Sequence, residues 1–428
     1  MSDSWNSGIV FAELTDVGMR RANNQDSMAC LPAKSEERFW SRGHLFVVAD
    51  GMGAHAAGEL ASSMATEKIA MHYFRPGAGD APEALRAAVS EANAEIHQRG
   101  QSNPEFHNMG TTASSLAILP AGAVVAHVGD SRVYRLRKGT LEQLTFDHSL
   151  VWEMEASGHV DGGVWGQSIP KNVITRSLGP NPSVEVDVEG PFPIEVGDKF
   201  LICSDGLTGL VEDKEIGTLM DCLPEDLATR VLVDLTNLRG GPDNTTVVIV
   251  SVAEQTTDPK SKPAKKPRTS KKESLVSPVL IGTTIFCLVV SAFLGVLQAW
   301  GPMVVAIILT LIAAVVSLVQ FMRNREAESP ATPVGGGKGP YRTYDAKPNA
   351  ELYERLGATV QTLKDAASDN NWMMDWKKVE KLQRRGKQAL KEKDPKGAIR
   401  FQSEAIIETM NQLREQNNRA ANETAIDY

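Results

Sequence analysis

Cysteine is scarce in this chain of 428 residues, with only four in all. Cys30, Cys203, Cys222 and Cys287 lack the paired spacing of a zinc site, and Cys287 sits in an apolar run, so neither a disulfide framework nor a zinc framework is expected. Reducing, cytosolic surroundings fit the soluble parts. A basic surplus is missing as well: the net charge of -8 offers no cationic footprint for a phosphate backbone and excludes nucleic acid as a general partner. The first residues, MSDSWNSGIVFAELTDVG, have neither a basic start nor a long apolar stretch, so no secretion signal is expected there. The last absence is local. Between Val279 and Met322 there is no Lys, Arg, Asp or Glu.

That uncharged stretch is long enough for two helices of ~20 residues, each able to cross a hydrocarbon core of ~30 Å. Gly301 and Pro302 divide it, and Trp300 suits the membrane interface. Basic residues flank both outer ends, Lys265, Lys266, Arg268, Lys271 and Lys272 before and Arg323 and Arg325 after, while the central turn carries no charge. The excess of cations places both ends in the cytoplasm. A hairpin of two transmembrane helices over 279–322 is therefore expected, with the N- and C-terminal regions on the cytoplasmic side.

The rest of the chain exceeds what one core usually serves, so more than one folded unit is expected. Residues 1–253 alternate β-rich runs such as LFVVAD, AVVAHVGD, FLICSD and NTTVVIVSV with helix-like stretches, which reads as an α/β or α+β domain. Residues 254–278 have the composition of a basic linker and 323–349 that of a Pro/Gly linker. From 350 to 428 apolar stripes at Leu352, Leu356, Val360 and Leu363, and at Ile399, Ile406, Met410 and Leu413, predict amphipathic helices. Gly386, Ala398 and Ala405 have the spacing of the small residues in a tetratricopeptide repeat, with a plain helical bundle an equal alternative.

Four carboxylates, Asp50, Asp130, Asp205 and Asp243, each stand at the end of a predicted strand beside a small or turn-forming residue. Singly, each is an ordinary turn former. Brought together at the ends of one sheet without Lys or Arg they would repel, unless a hard cation such as Mg²⁺ or Mn²⁺ sat among them.

In order along the chain, TDVGMRRANNQDS, VVADGMGAHAAGELAS, MGTTASSLAI, AHVGDSRVYRL, LTFDHSLV, VITRSLG, GDKFLICSDGLTGLVED and GPDNTTVVIV resemble the successive motifs of the metal-dependent protein phosphatases of type 2C, in their bacterial form. The resemblance spans residues 9–253. It implies an α+β fold, a four-layer αββα sandwich of two antiparallel sheets flanked by helices, followed here by the transmembrane hairpin and a small all-α region. It further implies a serine/threonine phosphoprotein phosphatase that hydrolyses phosphate monoesters by attack of a hydroxide bridging two Mn²⁺ or Mg²⁺ ions. Carried over by position, Asp50, the Gly51 carbonyl, Asp205 and Asp243 hold that pair of ions, and Asp130 with Asp205 holds a third, weaker one. Arg21 binds the phosphate, and His55 protonates the leaving oxygen. Gln25, Asp26 and Asn244 stand behind the ligands, Gln25 replacing a customary Glu and Ala54 a customary Gly. His148 reads as a structural cap or turn, and residues 150–168 as a flap beside the substrate groove. The implied partners are phosphoserine and phosphothreonine proteins made by a serine/threonine kinase, the membrane, and a protein that binds the C-terminal helices. The alternative is a non-catalytic pseudophosphatase acting as a scaffold at the membrane.

Overall fold

The computed structural model describes residues 8–53, 56–77, 79–157, 173–253 and 338–426. The expected hairpin at 279–322, the linker at 254–278, His55 and the flap from 158 onward lie outside the described residues. Among the described residues no helix is long and apolar enough to cross a membrane.

Two antiparallel sheets form the centre. One runs in the order β1 (Ile9–Asp16), β11 (Thr245–Val252), β10 (Lys199–Cys203), β7 (Arg132–Arg137), β8 (Thr140–Gln143) and β12 (Arg342–Asp345). The other runs β2 (Asp26–Leu31), β3 (His44–Met52), β5 (Ala113–Leu119), β6 (Gly122–Val128) and β9 (Asp187–Phe192), with the short β4 (Gly110–Thr111) beside β3. The unbroken apolar runs that mark these strands in the sequence follow from burial on both faces. In β3, Phe46 and Val48 pack between the sheets against Val125, Phe200 and Val248. Leu45, Val47 and Ala49 face the opposite way, into a layer made by α2 (Ala57–Tyr73) and α3 (Ala81–Ser102). On the far side Val247 and Ile249 of β11 meet α6 (Asp213–Cys222) and α7 (Glu225–Leu238). The expected four layers are present. Two short helices, α1 (Glu36–Arg42) and α4 (Leu150–Ala156), and the single turn α5 (Asp205–Thr208) complete this part.

The C-terminal region departs from the expected arrangement. Residues 338–349, assigned to a linker, contain β12, which pairs antiparallel with β8 from Arg342 opposite Gln143 to Asp345 opposite Thr140. Three helices follow: α8 (Ala350–Asp369), capped by the Asn349 side chain accepting from the Leu352 N–H at 2.8 Å, then α9 (Lys377–Lys391) and α10 (Pro395–Ile426). Leu352, Leu356, Val360, Val379, Ile399 and Ile406 are buried in the same core as Leu219, Val231 and Leu235 of the sandwich. The region is thus part of one compact unit with the sandwich. The tetratricopeptide-like spacing does bring helices close, since a Cβ on Gly386 would stand 2.9 Å from the Tyr353 ring. No repeat array follows from it. A lone helical hairpin cannot bury its own apolar face, and this one uses α6 and α7 instead.

Candidate metal centre

The strand ends deliver the carboxylates to one place. Asp50 lies near the end of β3, where the Thr112 hydroxyl accepts from its N–H at 2.9 Å and its carbonyl accepts from Thr111 Oγ1 at 2.9 Å and the Thr112 N–H at 2.8 Å. Asp26, the first residue of β2, is the register partner of Asp50. Asp205 begins α5 directly after β10, Asp243 precedes β11, and Asp130 follows β6. Asp26 Oδ2 accepts from Ser204 Oγ at 2.8 Å and Thr246 Oγ1 at 2.7 Å, which ties the two sheets together at this end.

Electrostatics record how near these groups stand. Burial, then the charges of Asp26, Asp205 and Asp130, push the Asp50 carboxyl far above the usual carboxylate range. Burial also pushes Asp26 up to about 7, with Asp205 and Asp243 adding to it and the two hydroxyls opposing. Asp130 is pushed up to about 8 by burial, Asp205 and Asp147. Arg21, half-exposed, donates to Asp243 Oδ2 at 2.8 Å and to the Pro242 carbonyl at 3.3 Å.

Among the described residues no three His, Cys, Asp or Glu side chains form a group that could hold an ion as arranged. Of the five aspartates, Asp243 pairs with the Arg21 guanidinium at 2.8 Å. The donor set still suits a hard dication. Its side-chain atoms are all carboxylate oxygens, and Asp26 Oδ1 and Asp130 Oδ1 are buried without a hydrogen-bond partner.

Residues behind the cluster behave differently from one another. Asn244 anchors the Arg21 loop, its amide donating to the Val17 and Asn23 carbonyls at 2.9 and 3.0 Å and its oxygen accepting from the Gln25 N–H at 2.8 Å. The Gln25 amide is directed at the loop after β3, 3.5 Å from the Gly53 carbonyl. Gly51 has a steric reason, because a Cβ there would stand 2.1 Å from the Gly58 carbonyl at the start of α2. His148 is structural, as expected: Nδ1 accepts from the Gly129 N–H at 3.0 Å and Nε2 meets Asp187 at 3.0 Å. The sequence reading missed Arg132, which follows the Asp130 motif and pairs with buried Asp147 at 2.7 Å. An arginine inside a strand carries no signal of its own until its partner is known.

The model of the protein phosphatase 2C family matches residues 19–231. Protein phosphatase PhpP of Streptococcus pneumoniae is 35% identical over 246 residues, 56% of this chain and 97% of that protein. The solved serine/threonine phosphatase of S. agalactiae is 35% identical with a TM-score of 0.51, covering 57% of this chain and 99% of that one. The serine/threonine phosphatase PstP/Ppp of Mycobacterium tuberculosis is 33% identical with a TM-score of 0.50, covering 57% and 99%. This chain belongs to the protein phosphatase 2C family and is an enzyme, a protein phosphatase.

Proposed function

We propose that this serine/threonine protein phosphatase hydrolyses phosphoserine and phosphothreonine in proteins, using cations held by Asp50, Asp205, Asp243 and the Gly51 carbonyl, with Asp130 available to a further ion. The observation that carries the reading is the convergence of five buried or half-buried aspartates beside one exposed arginine. When bound, Mn²⁺ or Mg²⁺ supplies the positive charge that makes water a nucleophile near neutral pH and offsets the charge of the phosphoryl oxygens. The protein's own groups do the rest. Arg21 can leave Asp243 for a phosphate, its planar fork matching two oxygens, while Asn244 holds its loop in place. Asp26 stays hydrogen-bonded to Ser204 and Thr246 and fixes the spacing of β2 and β10. His55 is assigned to protonation of the leaving oxygen on its position in the motif alone.

The test is a Mn²⁺ titration of the full chain by calorimetry, together with turnover of a phosphothreonine peptide. Asp205→Asn should weaken cation binding and reduce turnover by at least ~10³-fold, since one charged ligand is lost. Tight binding with full turnover in the variant would refute the assignment, and tight binding with no turnover by the parent chain would favour the scaffold reading.

The same chain is proposed to be anchored in the membrane by the two uncharged segments of 279–322, with the catalytic domain and tail in the cytoplasm. Basic outer flanks and an uncharged central turn support this. Reporter fusions after Ser270 and after Gly337 should both report cytoplasm, and opposite reports would leave only one span crossing.

A further inference from the structure

Helix α9 carries Lys377, Lys378, Lys381, Arg384, Arg385, Lys387 and Lys391 against one acidic residue, Glu380. This is a concentrated positive charge in a chain whose net charge is -8. Val379, Gly386 and Ala389 mark the face buried in the bundle. At helical spacing, Lys377, Lys381, Arg384 and Lys391 form a stripe on the opposite face, and all four are exposed. The neighbours on either flank are engaged: Lys378 pairs with Glu408, Arg385 lies over the Phe401 ring, and Glu380 pairs with Lys364. The four stripe residues make no ion pair among the described residues.

The loop entering this helix is Trp372-Met373-Met374, and Met373 is 76% exposed, more than any other large apolar side chain among the described residues. One strongly exposed methionine in the loop that leads into a row of cations matches the chemistry of an anionic bilayer surface, where the cations meet headgroups and Met373 reaches the acyl boundary. A phosphopeptide fits less well. The cavity of about 360 Å³ beside α9 is lined by Glu354 and Glu380 as well as Arg384 and Lys387, so it does not select an anion.

We infer that α9 and the 372–374 loop dock on an anionic membrane surface, with the Lys377, Lys381, Arg384 and Lys391 stripe facing the headgroups. This rests on the membrane-anchored reading above. The test places an environment-sensitive fluorescent residue at position 373 of the full chain, in vesicles containing quencher-bearing lipids. Quenching should be several-fold stronger with ~30% phosphatidylglycerol than with phosphatidylcholine alone. It should fall at ~0.5 M salt, since a Debye length of ~4 Å screens the contact. The quadruple variant Lys377→Gln, Lys381→Gln, Arg384→Gln, Lys391→Gln should lose it, while turnover of a small phosphate ester shows that the variant is folded. Quenching that ignores lipid charge, salt and the variant would overturn the inference. Unchanged quenching with a raised KM for a phosphoprotein would instead make the stripe a substrate-docking face. Alkaline carbonate extraction separates the two readings: a chain retained in the membrane but unquenched refutes docking alone. A chain that is extracted yet quenched on added anionic vesicles refutes the anchor and upholds docking.

Discussion

Asp26 and Asp130 titrate near neutrality because folding buries them among other carboxylates, and this fixes the sign of a pH effect. With folded values of about 7 and about 8 against an unfolded value near 4, each binds its proton more tightly in the folded state. Their stabilising contribution is full below pH ~4 and is lost as pH rises through 7 and 8. In chelator the thermal midpoint of the full chain should therefore fall between pH 5 and 8, and saturating Mn²⁺ should abolish that fall by matching the ionised carboxylates. Scanning calorimetry at four pH values checks it, and a rising midpoint in chelator would contradict the cluster. Asp187 acts at the other end of the scale. Hydrogen bonds and charge from His148 and Arg176 outweigh burial and depress it to about 2, so its contribution is present above pH ~4 and is lost as pH falls toward 2.

At the scale of elements, β12 and the residue after it explain an oddity in α6. Gly217 sits inside that helix, where glycine costs about 1 kcal/mol relative to alanine. A Cβ there would stand 2.8 Å from the Ala346 Cβ and 3.0 Å from that of Leu141, both fully buried. Gly217→Ala should destabilise the full chain by about 1–3 kcal/mol despite its better helix propensity, measured by chemical denaturation. A stabilised variant would mean that Ala346 does not rest on α6. The same segment also contacts α4 and β9. Arg342 lies 3.8 Å over the Trp152 ring and pairs with Glu155 of α4 at 2.6 Å, while Tyr341 donates to Glu189 at 2.5 Å. Arg342→Ala should cost about 1–2 kcal/mol, from the partly exposed ion pair and the cation–π contact together, and restoration by Arg342→Lys should be incomplete because an ammonium lacks the planar face.

The molecule as a whole is a phosphatase sandwich whose outer layer is completed by residues from beyond the expected membrane hairpin. Arg414 of α10 reaches Asp234 of α7 at 2.9 Å and Asp16 of β1 at 3.4 Å, adding ion pairs to the apolar contact. A fragment ending at residue 253 would open the core that Leu352, Leu356, Val360, Ile399 and Ile406 share with Leu219, Val231 and Leu235. Each such side chain is worth ~1.5–3 kcal/mol when fully buried. The fragment should bind a hydrophobic dye and unfold at least ~3 kcal/mol more easily than the sandwich in the full chain. Adding residues 338–428 in trans should reverse both effects. A fragment as stable as the full chain would show that the tail packs without contributing.

The candidate aspartates were legible in the sequence because each lies at one end of an apolar strand, and a strand end beside a turn residue is a local pattern. The two sheets were legible for the same reason, through β-rich runs, although their pairing into layers came only with the family resemblance. The role of Gly51 was half legible: its need for a small residue showed, but not its contact with Gly58. What the sequence could not yield was the placement of the tail. Its apolar stripes predict helices that must bury a face, yet periodicity carries no address for the surface that receives it. Tertiary structure decided that address, because the shared core with α6 and α7 and the pairing of β12 with β8 join residues far apart in the chain, which no local pattern encodes.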